Sequence, residues 1–470
     1  MPFAMPLWYR APLCQVVLVG FTLFCTSGMF SAVSNLGAGG TEDIALSDMA
    51  NAVHYGLFAI AGLFAGGVTN LLGVRPTLFI GSIAYALYMG SLWCFQTEGT
   101  RWFVVFADAI IGVSAALLWS AQGAVMMSYP LEKDKGKAFG IFWAIFNFGS
   151  FIGAIIALAI NLQQGKLSAV STGTYLAFLI IVFIGAASSQ LVLSPASVVR
   201  ADGSLVRVQT QTSPQEEIRS FFALIKDWRM LALAPMFFAS NFLYAYQGSI
   251  NTFYFDGPTR AVNATLEGAG AIAGALVTGV VILDAPRLRR RTRGWLGLAF
   301  VGTCVIAVWT GALVWQLDFT RGSHVQKMSY HDSAFVAKGA LYFAFYFSDS
   351  AYQALAYWIM GAITNDPFKL ARYAGFYKAI QSAGSAGSYG MDAVETPFLN
   401  EHLASWMMML VSLPLAGLVI YHVHDTSYQD EQTVFVGGTG VQYTEAEVDP
   451  EPVKEKEALE CLDVHTPSKD

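Results

Sequence analysis

The sequence predicts an all-helical membrane protein that crosses the bilayer twelve times. Hydrophobic residues make up 55% of the 470-residue chain and charged residues only 13%, about half of the ~25% that is usual for soluble domains. The hydrophobic residues also gather in runs close to the ~20 residues that a helix needs to cross a bilayer. This pattern excludes a soluble enzyme, a nucleic-acid-binding protein and a disulfide-rich secreted module.

Apolar runs of spanning length define each element in chain order. In the first half of the chain the predicted spans are Leu13–Val33, Asn51–Leu71, Leu78–Phe95, Trp102–Met127, Ala138–Ile160 and Tyr175–Leu193. In the second half they are Met230–Tyr246, Leu266–Leu283, Trp295–Trp315, Phe335–Ile363, Ala371–Ala393 and Leu403–Tyr421. The N-terminal stretch lacks the small-residue cleavage site of a signal peptide, so we expect it to be retained.

The distribution of Lys and Arg predicts the orientation of the chain. With the N-terminus and every even-numbered connection on one side, seventeen basic residues lie on that side and five on the other. Because basic residues resist translocation, both termini are predicted to be cytoplasmic. The same distribution suits the plasma membrane and an endomembrane equally.

Two polar segments divide the chain into four parts. Residues 1–193 are predicted to form a six-helix half, residues 194–229 a cytoplasmic central loop, and residues 230–423 a second six-helix half. Residues 424–470 are acidic, with 12 acidic and 3 basic side chains from Asp425 onward. This last segment is predicted to be a disordered cytoplasmic tail.

A weak internal repeat relates the two halves. Residues 137–153 align with residues 372–388 at a constant offset of 235, with five identities in 17 positions. The offset is half of the chain length, as expected if the fifth and eleventh spans are equivalent members of a repeat. Six plus six spans with an internal repeat resembles the plan of the major facilitator superfamily, which implies two pseudo-symmetric halves.

A second resemblance to that superfamily follows the second span. Gly66, Asn70, Gly73 and Arg75 stand at the positions of a cytoplasmic signature whose acidic residue helps to latch the two halves of transporters. Asn70 replaces that carboxylate, so the resemblance implies an altered latch. A degraded counterpart follows the eighth span, where Asp284 precedes a cluster of arginines. The alternative is that the basic residues of these stretches only fix the topology.

Other motifs are similar to one branch of the superfamily. The fourth span carries Leu117-Leu118-Trp119-Ser120-Ala121-Gln122-Gly123, and the tenth carries Tyr357-Trp358-Ile359-Met360-Gly361. Together with Ala371-Arg372-Tyr373-Ala374-Gly375 in the eleventh span, they resemble the UNC-93-like (ion channel regulatory protein) family in its fungal form. The resemblance marks Trp119, Gly123, Trp358 and Gly361 as family positions. It implies a transporter fold, and animal members regulate potassium channels or escort receptors.

Ionisable side chains inside predicted spans are candidates for function, because a charge in the bilayer is costly. Asp349 and Lys378 both lie roughly 10 Å from the cytoplasmic face at ~1.5 Å per residue, a depth at which they could pair. Such a pair would bind an ion or exchange a proton, and the alternative is a structural ion pair between two helices. Asp108, nearer the outer end of the fourth span, is a second candidate.

Uncharged polar residues add candidates for a substrate site. If spans one, four, seven and ten line a central cavity, as the superfamily resemblance implies, then Gln122, Asn241, Gln247 and Gln353 face it. Most such residues in helix bundles instead hydrogen-bond to neighbouring helices. Separately, Asn263-Ala264-Thr265 forms a glycosylation sequon on the predicted outer side.

Two functions follow from the sequence, and neither is enzymatic, because no zinc spacing, cofactor motif or catalytic constellation is found in the loops. The first is a secondary transporter of a small polar solute or cation by alternating access, with Asp349 and Lys378 at the coupling site and a proton or potassium as the ion. The second is a non-transporting regulator of a potassium channel, or a trafficking escort, whose partner is another membrane protein. The lipid bilayer is a partner in both cases and nucleic acid in neither.

Overall fold

A computed structural model describes residues 5–35, 44–163, 172–206, 212–427, 433–437 and 440–444. Its first group of helices is α1 (Leu7–Arg10), α2 (Pro12–Cys25), α3 (Ser27–Asn35), α4 (Ile44–Leu72), α5 (Val74–Glu98), α6 (Arg101–Ser128), α7 (Lys135–Gln163) and α8 (Thr172–Ser188). After a linker helix, α9 (Pro214–Ile225), the second group is α10 (Trp228–Ala239), α11 (Leu243–Tyr254), α12 (Gly257–Leu276), α13 (Arg290–Gln316), α14 (Phe335–Ile363), α15 (Pro367–Ala393) and α16 (Phe398–Tyr421).

Helices occupy the positions of all the predicted spans, which confirms the all-helical membrane fold. Eight stretches of the described residues are long and apolar enough to cross a membrane, the first being Pro12–Ser34 and the last Phe398–Tyr421. The four other predicted spans coincide with α7, with α10 and α11 together, with α14 and with α15. Twelve crossings therefore stay a prediction.

Within the described residues, two of the predicted spans are interrupted helices. The first breaks at Thr26, whose hydroxyl donates to the carbonyl of Thr22 at 2.8 Å. The seventh contains Pro235 and breaks between α10 and α11, so that Asn241 lies at the break. The eighth ends in a π-helical stretch, Val277–Leu283. Irregular backbone at membrane depth is tolerated where it is buried in protein or lines a cavity.

The two groups of helices meet along two seams, one of α4 on α15 and the other of α7 on α12. Close approach requires glycine here: a Cβ at Gly66 would lie 2.5 Å from the carbonyl oxygen of Ala371, and one at Gly279 would lie 2.3 Å from that of Gly136. The two aligned stretches of the internal repeat lie on α7 and α15. The first group of helices contributes α7 to one seam, and the second group contributes α15 to the other.

Both described ends of the membrane body lie at one end of the bundle, which we call the closed face. The carbonyl of Arg10 accepts a hydrogen bond from the central loop, and Arg200 of that loop donates to the carbonyl of Tyr129 at 3.1 Å. Three residues later, Glu132 accepts from the backbone of Ser427 at 2.8 Å. The closed face therefore joins the N-terminal region, the central loop and the start of the acidic segment.

The central loop and the acidic segment contain short structured elements. The loop has a 3-10 turn at Pro195–Ser197, a bridge between Val199 and Leu205, and α9. In the acidic segment, β1 (Thr433–Gly437) and β2 (Gly440–Thr444) form an antiparallel hairpin with Val436 opposite Val441. These ten residues depart from the predicted disorder, since valine and aromatic residues favour strands. Residues 445–470 of the predicted tail lie outside the described ranges.

Candidate functional site

A cavity of about 970 Å3 lies between the two groups of helices. Its outer end is lined by Arg260, Arg321 and Lys327. Because α13 begins at the closed face with Arg290 and ends at Gln316, the connection that carries Arg321 and Lys327 lies at the opposite end of the bundle. The volume is in the range of pockets that hold small-molecule ligands, ~300–1,000 Å3.

Asp349 lies at the floor of the cavity, in the middle of α14, and its side chain is buried. The Tyr244 hydroxyl, on the first turn of α11, donates to one carboxylate oxygen at 2.7 Å. The Gln353 amide donates to both oxygens, at 3.1 and 3.2 Å. Donors on two helices thus satisfy this carboxylate, as a buried charge requires.

Lys378 lies beside it on α15 and is only 4% exposed. Its ammonium donates to Oε1 of Gln381 at 2.7 Å. Three aromatic rings surround the nitrogen, with centroids at 4.3 Å for Trp119, 5.1 Å for Tyr377 and 5.7 Å for Tyr357. Cation–π attraction to these faces helps to stabilise the charge at this buried position.

Asp349 and Lys378 are not in direct contact, so the predicted ion pair is corrected. Within the described ranges no carboxylate lies within 4.0 Å of the Lys378 nitrogen. Two amides fill the space between the charges: Gln381 donates to Oε1 of Gln353 at 3.2 Å, and Gln353 donates to Asp349. Every donor in this relay points from the lysine toward the aspartate.

A histidine and an aspartate lie next to each other on the cavity wall that the first group of helices forms. Nδ1 of His54 on α4 lies 3.4 Å from Oδ1 of Asp108 on α6, and both side chains are buried. The imidazole also stacks on Phe30 at a centroid distance of 5.6 Å. The predicted candidate Asp108 therefore has a titratable partner that the sequence did not assign to it.

The predicted polar residues divide into two sets. Asn241, at the α10–α11 break, and Gln353 line the cavity, as does Gln381. Gln122 and Gln247 do not: Gln122 accepts from the Tyr357 hydroxyl at 3.3 Å, and the backbone of Gln247 accepts from Tyr342. Neither glutamine is among the residues that line the cavity. A role for them in substrate binding stays a prediction.

Tyr244 was not among the predicted site residues, although it lies one helical turn after Asn241. That i, i+3 spacing across the break was the only sequence signal for it. Within the described ranges, no three His, Cys, Asp or Glu side chains are grouped to hold a metal ion.

Beneath the floor, the α4–α15 seam is latched at the closed face by a carboxylate from the central loop. Glu217 of α9 accepts from Arg372 at 3.1 Å and from the Asn70 amide at 3.3 Å. Asn70 also donates to the carbonyl of Phe368 at 3.1 Å. Glu217, which is 6% exposed, therefore supplies on a different helix the carboxylate that position 70 lacks.

The α7–α12 seam is latched by Asp284. This carboxylate accepts from the backbone amides of Gly136 at 3.1 Å and Lys137 at 2.5 Å, in the first turn of α7. Burial raises the pKa of Asp284 to about 7, against the lowering effect of these two amides and of Arg293. The degraded counterpart of the signature thus has a structural role in addition to any effect on topology.

Between these two latches, cations from both groups of helices bind the end of α14. Lys135 and Arg290 donate to the carbonyl of Gly361 at 2.7 and 3.0 Å. Cations are favourable at a helix C-terminus. Trp358, another family position, packs against Gly294, while Gly123 brings α6 close to Ala374 of α15.

Three predicted positions lie away from the cavity. Gly73 has φ +88°, which favours glycine, at the turn before α5. Arg75 donates to the carbonyl of Val192 at 2.8 Å, at the end of α8. Asn263 of the sequon is fully buried in α12, and its amide donates to Asn251 at 2.9 Å. The folded chain therefore does not present this asparagine for glycosylation.

Comparisons with known proteins agree on a family and a fold. Residues 48–348 match the family model described as ion channel regulatory protein UNC-93. A UNC93-like protein of Schizosaccharomyces pombe is 39% identical, over 88% of this chain and 83% of its own length. UNC93-like protein 1 of Arabidopsis thaliana is 36% identical, over 88% and 91%. Among solved structures, the major facilitator superfamily transporter FucP in the outward conformation matches with a TM-score of 0.60 at 14% identity, over 87% of this chain and 99% of its own.

Proposed function

The chain belongs to the UNC-93 family and has the major facilitator superfamily fold, and from that premise we propose that it is a secondary transporter of a small polar solute or cation. The observation that carries the proposal is the charged floor formed by Asp349 and Lys378 inside a ligand-sized cavity. Ionisable groups at such depth are costly and usually functional. A purely structural bundle has no need for them next to open volume.

Alternating access supplies the mechanism. The cavity is open at one end, while the Glu217–Arg372 and Asp284 latches hold the other end shut. Transport requires both latches to release while the outer end closes around the solute. The breaks in α2–α3 and α10–α11 give the helices around the cavity places to bend.

Flux measurements in vesicles test this proposal. Purified protein is reconstituted, and fluxes of protons, potassium and a labelled metabolite pool are followed for the wild type, Asp349→Asn and Lys378→Met. Lys338→Met is the matched control, because Lys338 lies near the outer rings of Tyr254 and Trp315 rather than at the floor. Gradient-driven flux that survives in the control and is lost in the two floor variants is expected. Flux that is equal in all four proteins, or absent from the wild type, contradicts the proposal.

The alternative function is a non-transporting regulator of a potassium channel or a trafficking escort for another membrane protein. The description of the matching family as an ion channel regulatory protein favours it. The missing carboxylate at Asn70 no longer favours it, because Glu217 occupies that role at the latch. An absence of flux, with a channel or receptor recovered in stoichiometric amount from the same membranes, would support this alternative.

A further inference from the structure

The floor of the cavity holds an unequal pair of charges. Asp349 accepts three hydrogen bonds from Tyr244 and Gln353. Lys378 donates a single side-chain hydrogen bond, to the neutral Gln381, and lines the cavity. An ammonium has three N–H donors, and aromatic faces attract its charge without neutralising it. Neither charge has an oppositely charged group in contact within the described residues, but the aspartate accepts three hydrogen bonds whereas the lysine donates one, so the cation is the less satisfied group.

We infer that the floor binds the anionic group of a small monovalent organic anion at Lys378, and that Asp349 carries the one proton that travels with it. This inference rests on the proposed transporter function and names its substrate class and its stoichiometry. The substrate is a solute that carries a carboxylate or another single negative charge. It is small enough to fit, together with water, into the cavity of about 970 Å3.

Anion recognition follows from the surroundings of Lys378. A carboxylate that enters from the cavity meets free N–H donors of an ammonium whose position is already fixed by Trp119, Tyr377 and Gln381. Charge-assisted hydrogen bonds of this kind are about twice as strong as neutral ones. A preorganised lysine also loses little side-chain entropy on binding.

A cationic substrate fits the same floor less well. To reach Asp349, it would have to compete with the Tyr244 hydroxyl at 2.7 Å and with the Gln353 amide. It would also leave Lys378 without compensation in a site that then held two positive charges. The contacts therefore favour the anion.

Proton coupling follows from charge balance. In the empty site the charges of Lys378 and Asp349 offset each other through the relay of Gln381 and Gln353. An anion on Lys378 takes over that compensation, so the aspartate becomes an uncompensated buried carboxylate, which binds a proton more strongly. One anion and one proton enter together, and the net charge moved is zero.

Besides Lys378, the ionisable groups that the structure describes near Asp349 are tyrosines and one glutamic acid. Four phenols surround it, from Tyr244 on α11, Tyr346 and Tyr352 on α14, and Tyr377 on α15. Glu267 on α12 lies behind Tyr346 and faces the outer part of the cavity. None of these groups is a cation, so among the described residues Lys378 is the positive charge that acts on Asp349.

Binding of a panel of probes tests the anion site. Thermal unfolding of the purified protein is followed with acetate, pyruvate, L-lactate or benzoate, with choline as the cation and glycerol as the neutral solute. We expect at least one anion, and not choline, to stabilise the wild type. Lys378→Gln should weaken that binding about 10–100-fold, and Lys378→Arg should retain it. The inference is overturned if no anion acts through Lys378 or if choline acts instead.

Proton stoichiometry and flux complete the test. A pH indicator should report one proton taken up per anion bound by the wild type and none by Asp349→Asn, which still binds the anion.

In vesicles, a pH gradient should drive anion uptake that an imposed potassium diffusion potential does not change. Anion binding without flux would contradict the proposed transporter and leave the anion site intact. Flux of a cation alone would contradict the anion inference and leave the transporter intact.

Discussion

Arg372 of α15 and Glu217 of α9 form an ion pair at 3.1 Å that joins the second group of helices to the central loop. The same carboxylate accepts from Asn70 of α4. One side chain on the linker thus holds both sides of the α4–α15 seam. The linker is a component of the closed face as well as a connection between the halves.

Removing the charge of Glu217 should loosen the closed face. Glu217→Gln loses the ion pair with Arg372, and the open population should rise about 5–150-fold for a coupling of ~1–3 kcal/mol. The measurement is the rate at which an impermeant maleimide labels Gln122→Cys in a background without native cysteines, since Gln122 is fully buried beneath the floor. Glu216→Gln is the control, because Glu216 is exposed on the same helix. Equal labelling of the two variants would contradict the latch.

Restoring the acidic residue of the signature with Asn70→Asp should destabilise the closed face in the wild type and stabilise it in the Glu217→Gln variant. Asn70→Asp places a second carboxylate at the 3.3 Å contact with Glu217, so repulsion should speed maleimide labelling of the Gln122→Cys reporter. In the Glu217→Gln background the new carboxylate can instead pair with Arg372 and should restore slow labelling. A double-mutant cycle measures this coupling. Additive effects of the two substitutions would show that positions 70 and 217 do not share one latch.

Acidification should favour the closed face through Asp284. Burial raises the pKa of this carboxyl to about 7 in the closed arrangement, whereas a carboxyl exposed by opening returns toward its ordinary value near ~3.9. The closed form therefore binds more protons, gains stability below pH 7 and loses it as the pH rises through about 7. Labelling of the same Gln122→Cys reporter should accelerate from pH 6 to pH 8, after correction for the reactivity of a free thiol. Asp284→Asn should flatten this profile, and a profile unchanged by that substitution would rule out Asp284 as its source.

The α4 and α15 backbones approach so closely at Gly66 that adding a single methyl group there should lower the stability of the fold. Gly66→Ala puts its Cβ 2.5 Å from the carbonyl oxygen of Ala371, and overpacking of this kind costs ~1–3 kcal/mol. The midpoint of thermal unfolding in detergent should fall. Gly90→Ala is the matched control, because a Cβ there meets nothing within 4 Å, so its midpoint should stay the same or rise. A similar fall in both variants would contradict the assignment of the effect to close packing at Gly66, because helix propensity alone favours alanine over glycine.

Much of the fold follows from the sequence because hydrophobic length is a local property. The run Leu403–Tyr421 needs no partner to be recognised as a span, and α16 covers Phe398–Tyr421. A break inside a span is harder to predict from the sequence. The run that contains Asn241 is predicted as one span, but it forms two helices, α10 and α11. The depth of Asp349 and Lys378 could likewise be counted along the helices, which was enough to place both at one level.

Contacts between distant side chains were decided only by the tertiary structure. Counting along the helices brings Asp349 and Lys378 to the same depth, but the direction of each side chain determines that Gln353 and Gln381 stand between them. Glu217 lies 147 positions after Asn70 in a polar segment without spanning character, so no periodicity links the two. The sequence by itself determined which segments are apolar helices, since that depends on the summed transfer free energy of adjacent residues. Which groups meet at the floor and at the latches depends on helix packing and rotamers, which become definite only when the whole bundle is assembled.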